Sequence, residues 1–222
     1  MGKNFFQINI TDEQVGYANQ IVNYSLLHHP VKDIFHNDKE SMLRQREFRF
    51  IGSLGEIVFA DTYLLPRPTK SYGAIDGQDY GMDFKLNHNQ ELIIDVKTMK
   101  RDNNELYGNY VMNIPSYQLQ KENSLTEYYY CLSIHLDKVV VVKNEFQKKY
   151  IASFVGYAKR DLILNNAIGC LYKKDSIRVN KNHSFVFIND TYEVEFKDLE
   201  GPIITNNIPK INGFQEKKII LE

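Results

Sequence analysis

Residues 81–98 constrain the fold of this chain more than any other stretch, because they have the pattern of two strands joined by a polar turn at 88–90. This pattern predicts a β-hairpin. Asp83 lies at the start of the first strand, and an Asp95-x-Lys97 motif lies at the end of the second. Side chains alternate along a strand, so Asp95 and Lys97 are expected on one face. Charges inside an apolar run are costly unless they are paired, and the hairpin is therefore a candidate site.

The first helix is predicted from about residue 12 to residue 28. Thr11 and Gln14 match a capping box, and apolar residues follow at helical spacing. The tandem histidines at 28–29 are interpreted as capping or surface residues, because adjacent positions do not face one metal site.

A second helix is predicted from residue 39 or 41 to about residue 65, where prolines follow. Its second half is apolar on most sides, as in a buried helix, and Glu56 is the one acid inside it. Glu56 is either a functional acid or a salt-bridged or rim residue. Gly52 and Gly55 predict a close approach of another backbone or a break in the helix, since glycine weakens helices.

The rest of the chain is predicted to be rich in strands, with two short helices. The two strands at 128–136 and 138–143 are strongly apolar, which favours a sheet covered on both faces. The other predicted strands are 72–75, 106–114, 176–180, 184–188 and 191–196, and the short helices are 115–120 and 158–166.

Composition places the chain among folded, soluble proteins. Hydrophobic residues make up 43% of its 222 residues and charged residues 25%. No apolar run approaches the roughly 18 residues of a membrane helix, and the start lacks the pattern of a signal peptide. We therefore expect no membrane partner and a cytoplasmic location. The two cysteines are too few and too far apart for a disulfide framework or a zinc site, and buried thiols are expected.

Residues 138–183 hold ten Lys or Arg against three acids, although the net charge of the chain is −1. Such a basic region is typical of polyanion binding, whereas any single pair of these cations is more simply a solvated end of an element. Gln118, on the short helix after the hairpin, is a further candidate for supporting the site or contacting DNA. The candidate cations are Lys148, Lys149, Lys159, Arg160, Lys173 and Lys174.

Glu56, Asp83 and Asp95 are expected to converge on a metal ion. Neighbouring carboxylates raise each other's pKa values unless a cation neutralises them. Oxygen ligands without His or Cys favour Mg²⁺ or Mn²⁺. Such an ion lowers the pKa of a bound water and neutralises charge that develops on a phosphate. Lys97 is then placed to orient the attacking water or to stabilise the developing charge.

These residues, with the apolar run 92–94 before the last motif, resemble the PD-(D/E)XK nuclease superfamily of restriction and repair endonucleases. The resemblance covers residues 41–143 as an αβββαβ order of elements and is most specific at the motif. Met82 stands where the family name has proline. The resemblance implies that Asp83, Asp95 and the main-chain carbonyl of Val96 are ligands of Mg²⁺, for which Mn²⁺ substitutes. It also implies that Lys97 is the catalytic lysine and that Glu56 is an auxiliary acid that adds a metal or water contact.

The fold implied is α/β, with a restriction-endonuclease-like αβββαβ core and a mixed central sheet flanked by helices. Residues 1–40 would form an N-terminal helix and loop packed on the core, and residues 41–143 the nuclease core. Residues 144–222 would be a strand-rich C-terminal extension of the same domain that contacts DNA.

The expected function is that of a Mg²⁺-dependent endonuclease that cuts double-stranded DNA with a metal-activated water, in restriction, repair or a phage-like role. Cutting both strands favours a homodimer, and a nickase or an exonuclease of the same fold stays open. The alternative is a non-catalytic nucleic-acid-binding or protein-binding α/β module in which Asp95 and Lys97 form a structural ion pair. A metabolic metal-dependent hydrolase is disfavoured, because neither a His-rich metal motif nor a glycine-rich phosphate loop is present.

Overall fold

The computed structural model describes residues 3–28, 39–69, 82–88, 90–142, 145–180 and 183–221, which form four α-helices and eleven β-strands. The helices are α1 (Asp12–His28), α2 (Lys39–Tyr63), α3 (Ser116–Leu119) and α4 (Arg160–Leu164). The strands are β1 (Asn4–Asn9), β2 (Phe84–His88), β3 (Gln90–Arg101), β4 (Val111–Pro115), β5 (Tyr128–Val142), β6 (Glu145–Lys159), β7 (Cys170–Tyr172), β8 (Ile177–Asn180), β9 (His183–Val186), β10 (Thr191–Glu195) and β11 (Gln215–Lys218).

A six-stranded sheet in the order β11-β1-β6-β5-β3-β2 forms the centre of the fold. Strands β3 and β5 pair in parallel, and the other neighbours in this sheet pair antiparallel. The predicted hairpin is present as β2–β3 at one edge. The structure thus confirms an α/β fold with a mixed central sheet. The strand predicted at 72–75 lies outside the described residues.

The two faces of the central sheet bury two separate apolar clusters. Along β5, Tyr130 and Leu132 belong to the cluster beneath α1 and α2. Tyr129 and Cys131 alternate with them and belong to the second cluster, which α3 and the three-stranded sheet β4-β10-β7 cover. Long helices therefore cover one face, and a small sheet covers most of the other.

The two long helices form where the sequence predicts them. The hydroxyl of Thr11 accepts a hydrogen bond from the N–H of Gln14 at 3.2 Å, and the amide oxygen of Gln14 accepts one from the N–H of Thr11 at 2.9 Å. This is the predicted capping box. The following helix buries Ala18 and Val22 against the core. None of the described helices combines the length and the apolar character needed to cross a membrane.

The prediction for the valine-rich strand is wrong. Its residues continue the preceding strand, and β5 runs on to Val142 without a break. Pairing of β5 with β3 ends at His135, and pairing of β6 with β1 ends at Ile151. Beyond these residues β5 and β6 pair only with each other and form a two-stranded ribbon. Val139 and Val141 are 50% and 64% exposed there. Valine favours a strand whether the strand is buried or exposed, so a run of valines does not predict burial.

Two other predicted elements and the predicted burial of one cysteine differ from the structure. The strand predicted at 106–114 is shorter and spans Val111–Pro115. The helix predicted at 158–166 begins only at Arg160, because β6 continues to Lys159. Cys170 is exposed, so only Cys131 is the expected buried thiol.

Strands from both ends of the chain complete the central sheet. The N-terminal strand β1 lies between β6 and β11, although neither β1 nor β11 is apparent in the sequence pattern. Strands from before residue 40 and from after residue 143 therefore pair in the same central sheet as β2, β3 and β5.

Helix α2 lies close to β3 because of a single glycine. A Cβ added at Gly55 would lie 1.9 Å from the side-chain oxygen of Thr98, whereas one added at Gly52 would meet no atom of the described residues within 4 Å. The close approach predicted for both glycines holds at Gly55, where it is made by a side chain of β3. At Gly52 the helix is continuous and the adjoining space is open.

Alanine substitutions at these two glycines are expected to change stability in opposite directions. Gly52→Ala should raise the free energy of unfolding by about 0.5–1 kcal/mol, because alanine restricts the unfolded chain and favours helix. Gly55→Ala should lower it by about 1–3 kcal/mol through overpacking against Thr98. Urea denaturation followed by circular dichroism measures both, and equal effects at the two positions would contradict the packing.

Candidate active site

Asp83 lies against β3 immediately before β2. Phe84 pairs with Ile94, and the N–H of Asp83 donates to the carbonyl of the same residue at 2.9 Å. Two successive residues therefore face Ile94, and Asp83 lies outside the regular pairing of the ladder. The charge of Asp95 acts on the carboxyl group of Asp83, so the hairpin brings the two predicted acids close together.

Alternation along β3 separates the charged residues of this strand from the helical core. Ile94 and Val96 are buried in the cluster beneath α1 and α2. Asp95 and Lys97 consequently lie on the opposite face, as neighbours on one side of the strand. That face also carries Tyr129, which pairs with Asp95 in the parallel ladder of β3 and β5.

Lys97 is held between a carboxylate and an aromatic ring. Its Nζ lies 2.5 Å from Oδ1 of Asp95, and the two side chains are only 16% and 14% exposed. The same Nζ lies 5.6 Å from the centre of the Tyr129 ring, within the range of a cation–π contact. Burial raises the pKa of Tyr129, and the negative charge of Asp95 raises it further.

The charges of Asp95, Glu56 and Lys97 all act on the carboxyl group of Asp83. Its Oδ2 accepts a hydrogen bond from the N–H of Val96 at 2.7 Å, which fixes the carboxylate against β3. Burial raises the pKa of Asp83 well above its usual value, and the charges of Asp95 and Glu56 raise it further. The hydrogen bond from Val96 and the ammonium of Lys97 act in the opposite direction. Removal from water and two like charges therefore outweigh these two favourable contacts.

Glu56 approaches Asp83 from the helical side of the sheet. It lies on α2, next to the glycine that packs on β3, and lines a pocket of about 410 Å³ together with Asp83. Lys97 points to the other face of β3, so the hairpin edge lies between the auxiliary acid and the lysine. The structure brings Asp83, Asp95 and Lys97 into one cluster, and Glu56 joins it through its effect on the pKa of Asp83.

Arg67 fixes the segment that borders this pocket. Its guanidinium contacts Asp61 near the end of α2 at 2.6 Å and Glu13 of α1 at 2.5 Å. The contacts involve both oxygens of each carboxylate, which gives them a defined orientation. The sequence shows only an arginine between two prolines, and the distant partners that define its role are not visible there.

The arrangement of acids fits a hard divalent cation that binds two protein carboxylates. In the described part of the chain, no three His, Cys, Asp or Glu side chains form a group that could hold a metal ion by themselves. Mg²⁺ commonly takes one or two carboxylates and keeps several waters. Asp83 and Asp95 supply such a pair, and the main chain of Val96, predicted as a further ligand, lies beside them through its contact with Asp83.

Gln118 lies on α3, on the same side of the sheet as Tyr129. Its side-chain oxygen is buried and accepts no hydrogen bond from any residue that the structure describes. The end of α3 is anchored by Arg160, whose Nε donates to the carbonyl of Leu119 at 2.8 Å and whose Nη1 donates to that of Ser124 at 3.4 Å. Arg160 thus supports the main chain beside Gln118, and contact of either residue with nucleic acid stays a prediction.

Most of the predicted nucleic-acid-binding lysines lie near acids. Lys149 contacts Asp12 at 2.5 Å, and Lys173 contacts Asp190 at 2.9 Å. Lys159 lies 3.9 Å from Asp161, and the main-chain N–H of Lys174 donates to Asp190. Lys148 is exposed on the β5–β6 ribbon. Lys148, Lys149 and Lys159 lie on β6, whereas Lys173 and Lys174 follow β7, and contact of these lysines with nucleic acid stays a prediction.

Tyr129 is the residue of the site that the sequence does not reveal. It lies in a run of three tyrosines at the start of β5, all compatible with a strand. Its place beside Asp95 and Lys97 depends on the parallel register of β3 and β5, which joins segments more than 30 positions apart.

Comparisons with known proteins give no match for this chain. No family model matches the sequence, no curated protein matches it, and no solved structure matches its fold.

The pKa of Asp83 leads to a pH-dependent prediction for the metal-free chain. A carboxyl whose pKa is raised by folding favours the folded state at low pH, and this contribution is lost as the pH rises through the folded-state pKa. Asp83→Asn keeps an acceptor for Val96 and removes the charge. In EDTA the variant should therefore become more stable than the parent chain as the pH rises above about 4, the ordinary pKa of aspartate.

Thermal unfolding between pH 4 and pH 8 measures this difference. Asp161→Asn is the matched control, because that side chain is 75% exposed and its neutralisation should leave the pH profile nearly unchanged. A parent chain that is more stable than Asp83→Asn at pH 8 would show that the Asp83 carboxylate stabilises the fold, against the argument.

Proposed function

We propose that this chain is a Mg²⁺-dependent DNA endonuclease that hydrolyses phosphodiester bonds, with a core of the restriction-endonuclease type. The observation that carries the proposal is the hairpin geometry, in which Asp83 binds the main chain of β3 at Val96, close to Asp95, and Lys97 contacts Asp95 on one face of the strand. The resemblance of these residues to the PD-(D/E)XK motif rested on their spacing alone. Their proximity in three dimensions is a separate and stronger support.

The order of elements around the site also supports this core. Helix α2 with Glu56 precedes the hairpin, and α3 lies between β3 and its parallel neighbour β5. In chain order α2, β2, β3, β4, α3 and β5 follow one another, which accords with the expected αβββαβ order, although β4 pairs in the smaller sheet and the segment 72–75 lies outside the described residues.

The chain supplies three functions to the reaction. Asp83 and Asp95 would hold Mg²⁺, or Mn²⁺ in its place, which when bound neutralises charge on the phosphate and acidifies water. Lys97 is within reach of any group bound at Asp95, and its ammonium would orient the attacking water and stabilise the negative charge that develops on the phosphate. Glu56 faces Asp83 from the other side and would orient water there.

Double-stranded DNA is the proposed substrate, and a homodimer would supply one site for each strand. Lys148 and the other cations of residues 138–183 would contact phosphates, which positions DNA without specifying its sequence. A cytoplasmic location accords with this substrate. Restriction and repair are both compatible with this chemistry.

A nuclease assay on supercoiled plasmid, linear duplex DNA, single-stranded DNA and RNA, with Mg²⁺, Mn²⁺ or EDTA, tests the proposal. Asp95→Asn and Lys97→Ala should each lower the rate at least about 100-fold, since each removes a group that acts on the transition state. Lys100→Ala is the matched control on the same strand, because Lys100 forms a 51%-exposed ion pair with Glu47 and should be dispensable.

The plasmid products distinguish the classes of nuclease. Linear product indicates cutting of both strands, open-circular product indicates a nickase, and cutting of linear DNA alone indicates an exonuclease. Absence of metal-dependent cleavage on every substrate would refute the enzyme proposal, and full activity of Asp95→Asn and Lys97→Ala would refute the site.

A non-catalytic nucleic-acid-binding module is the second candidate, and one observation favours it. Asp95 and Lys97 already form a contact ion pair of two largely buried side chains, as a structural pair would. In this case the chain would bind DNA in EDTA and with Mg²⁺ equally well and would cut none.

A further inference from the structure

An ammonium group lies among the acids of the proposed metal site. The charges of Asp95 and Glu56 both act on Asp83, and among the described residues Lys97 is the cation that acts on it. Its Nζ lies at contact distance, 2.5 Å, from Oδ1 of Asp95. In the chain without metal, the positive charge of Lys97 therefore lies beside an oxygen that a bound cation would need.

This ion pair differs from the surface pair on the same strand. Lys100 and Glu47 are 2.6 Å apart and about half exposed, and such pairs contribute little to stability. Lys97 and Asp95 are both at most 16% exposed. Removing one partner of a largely buried pair leaves an uncompensated charge, which is strongly destabilising. Lys97 therefore contributes to folding as well as to any chemistry.

The surroundings of Lys97 also offer its ammonium a second position. The ring of Tyr129 lies 5.6 Å from Nζ, and its face attracts a cation. The long side chain of lysine can therefore move away from Asp95 and keep a favourable partner, without full transfer into water.

We propose that Lys97 is the resident counter-ion of Asp95 and Asp83, which holds these acids in the folded chain when no metal is bound, and that a divalent cation competes with it for Asp95. The inference rests on the metal dependence of the proposed function. It assigns to Lys97 a role in metal affinity that is separate from its role toward the substrate. Metal binding then exchanges one cation for another at the same carboxylate.

Lys97→Met tests the exchange, because methionine keeps an unbranched apolar side chain and removes the charge. In EDTA the variant should unfold at a lower temperature than the parent chain, since two acids lose their counter-ion. Its affinity for Mn²⁺, measured by isothermal titration calorimetry without nucleic acid, should be at least about tenfold higher, as expected for removal of a competing charge in contact with the ligand. Saturating Mn²⁺ should raise its melting temperature more than that of the parent chain.

Lys85→Met is the matched control. Lys85 follows Asp83 by two residues and is 50% exposed, with Glu91 as its partner at 3.4 Å. Its loss removes one positive charge near the same acids without removing a contact to Asp95. Affinity for Mn²⁺ should change by less than about threefold, because solvent screens the charge, and metal-free stability should not change.

Asp95→Asn/Lys97→Met keeps the test decisive if Lys97→Met alone does not fold. This double variant removes both charges of the pair together and should recover much of the metal-free stability, because neither charge is then left without the other. A double variant no more stable than Lys97→Met would overturn the counter-ion role.

The outcomes separate this inference from the nuclease proposal. Parent-like stability in EDTA, or Mn²⁺ affinity equal to or below that of the parent chain, would overturn the inference even if the chain cuts DNA. Tighter Mn²⁺ binding by Lys97→Met together with absence of cleavage by the parent chain would support the inference and refute the nuclease. A parent chain that binds no Mn²⁺ would overturn both.

Discussion

The pairing of β3 on both of its edges is the constraint on which the rest of the structure depends. Its antiparallel ladder with β2 holds Asp83 against the segment that carries Asp95, and its parallel ladder with β5 places Tyr129 beside Asp95. A slip of one residue in either ladder would exchange the two faces of the strand. Asp95 and Lys97 would then enter the helical core, and Ile94 would leave it. The burial of apolar side chains beneath α2 therefore also fixes the position of the charged cluster.

The fold holds the carboxyl group of Asp83 where its negative charge is unfavourable. Burial and two neighbouring carboxylates disfavour the charge of Asp83, against one main-chain hydrogen bond and one ammonium. A free energy of folding of only about 5–15 kcal/mol leaves little room for such an arrangement unless burial elsewhere offsets it. Two apolar clusters, one on each face of the sheet, provide this burial. A locally unfavourable set of charges held by a well-packed scaffold is characteristic of functional sites.

The sequence predicts the elements whose signals are local. The hairpin, the capping box at Thr11 and the long helix α2 depend on patterns within about 25 residues, and each is present. Pairing between distant segments is not encoded in such patterns, so β1, β11 and the parallel pairing of β3 with β5 were not predicted. The position of Tyr129 in the site follows from that pairing. The helix predicted at 158–166 is present as α4 and begins only at Arg160, because β6 continues to Lys159.

The edge position of the hairpin explains how residues from both faces reach one carboxylate. Among the described strands, β2 is the last of the central sheet, and Asp83 precedes its first residue. Glu56 approaches Asp83 from the helical face, whereas Lys97 lies on the opposite face. In the interior of the sheet, a continuous layer of main chain would separate these two groups. A site that combines an acid from a covering helix with a lysine from the far face must therefore form at an edge, and the order of strands places the hairpin there.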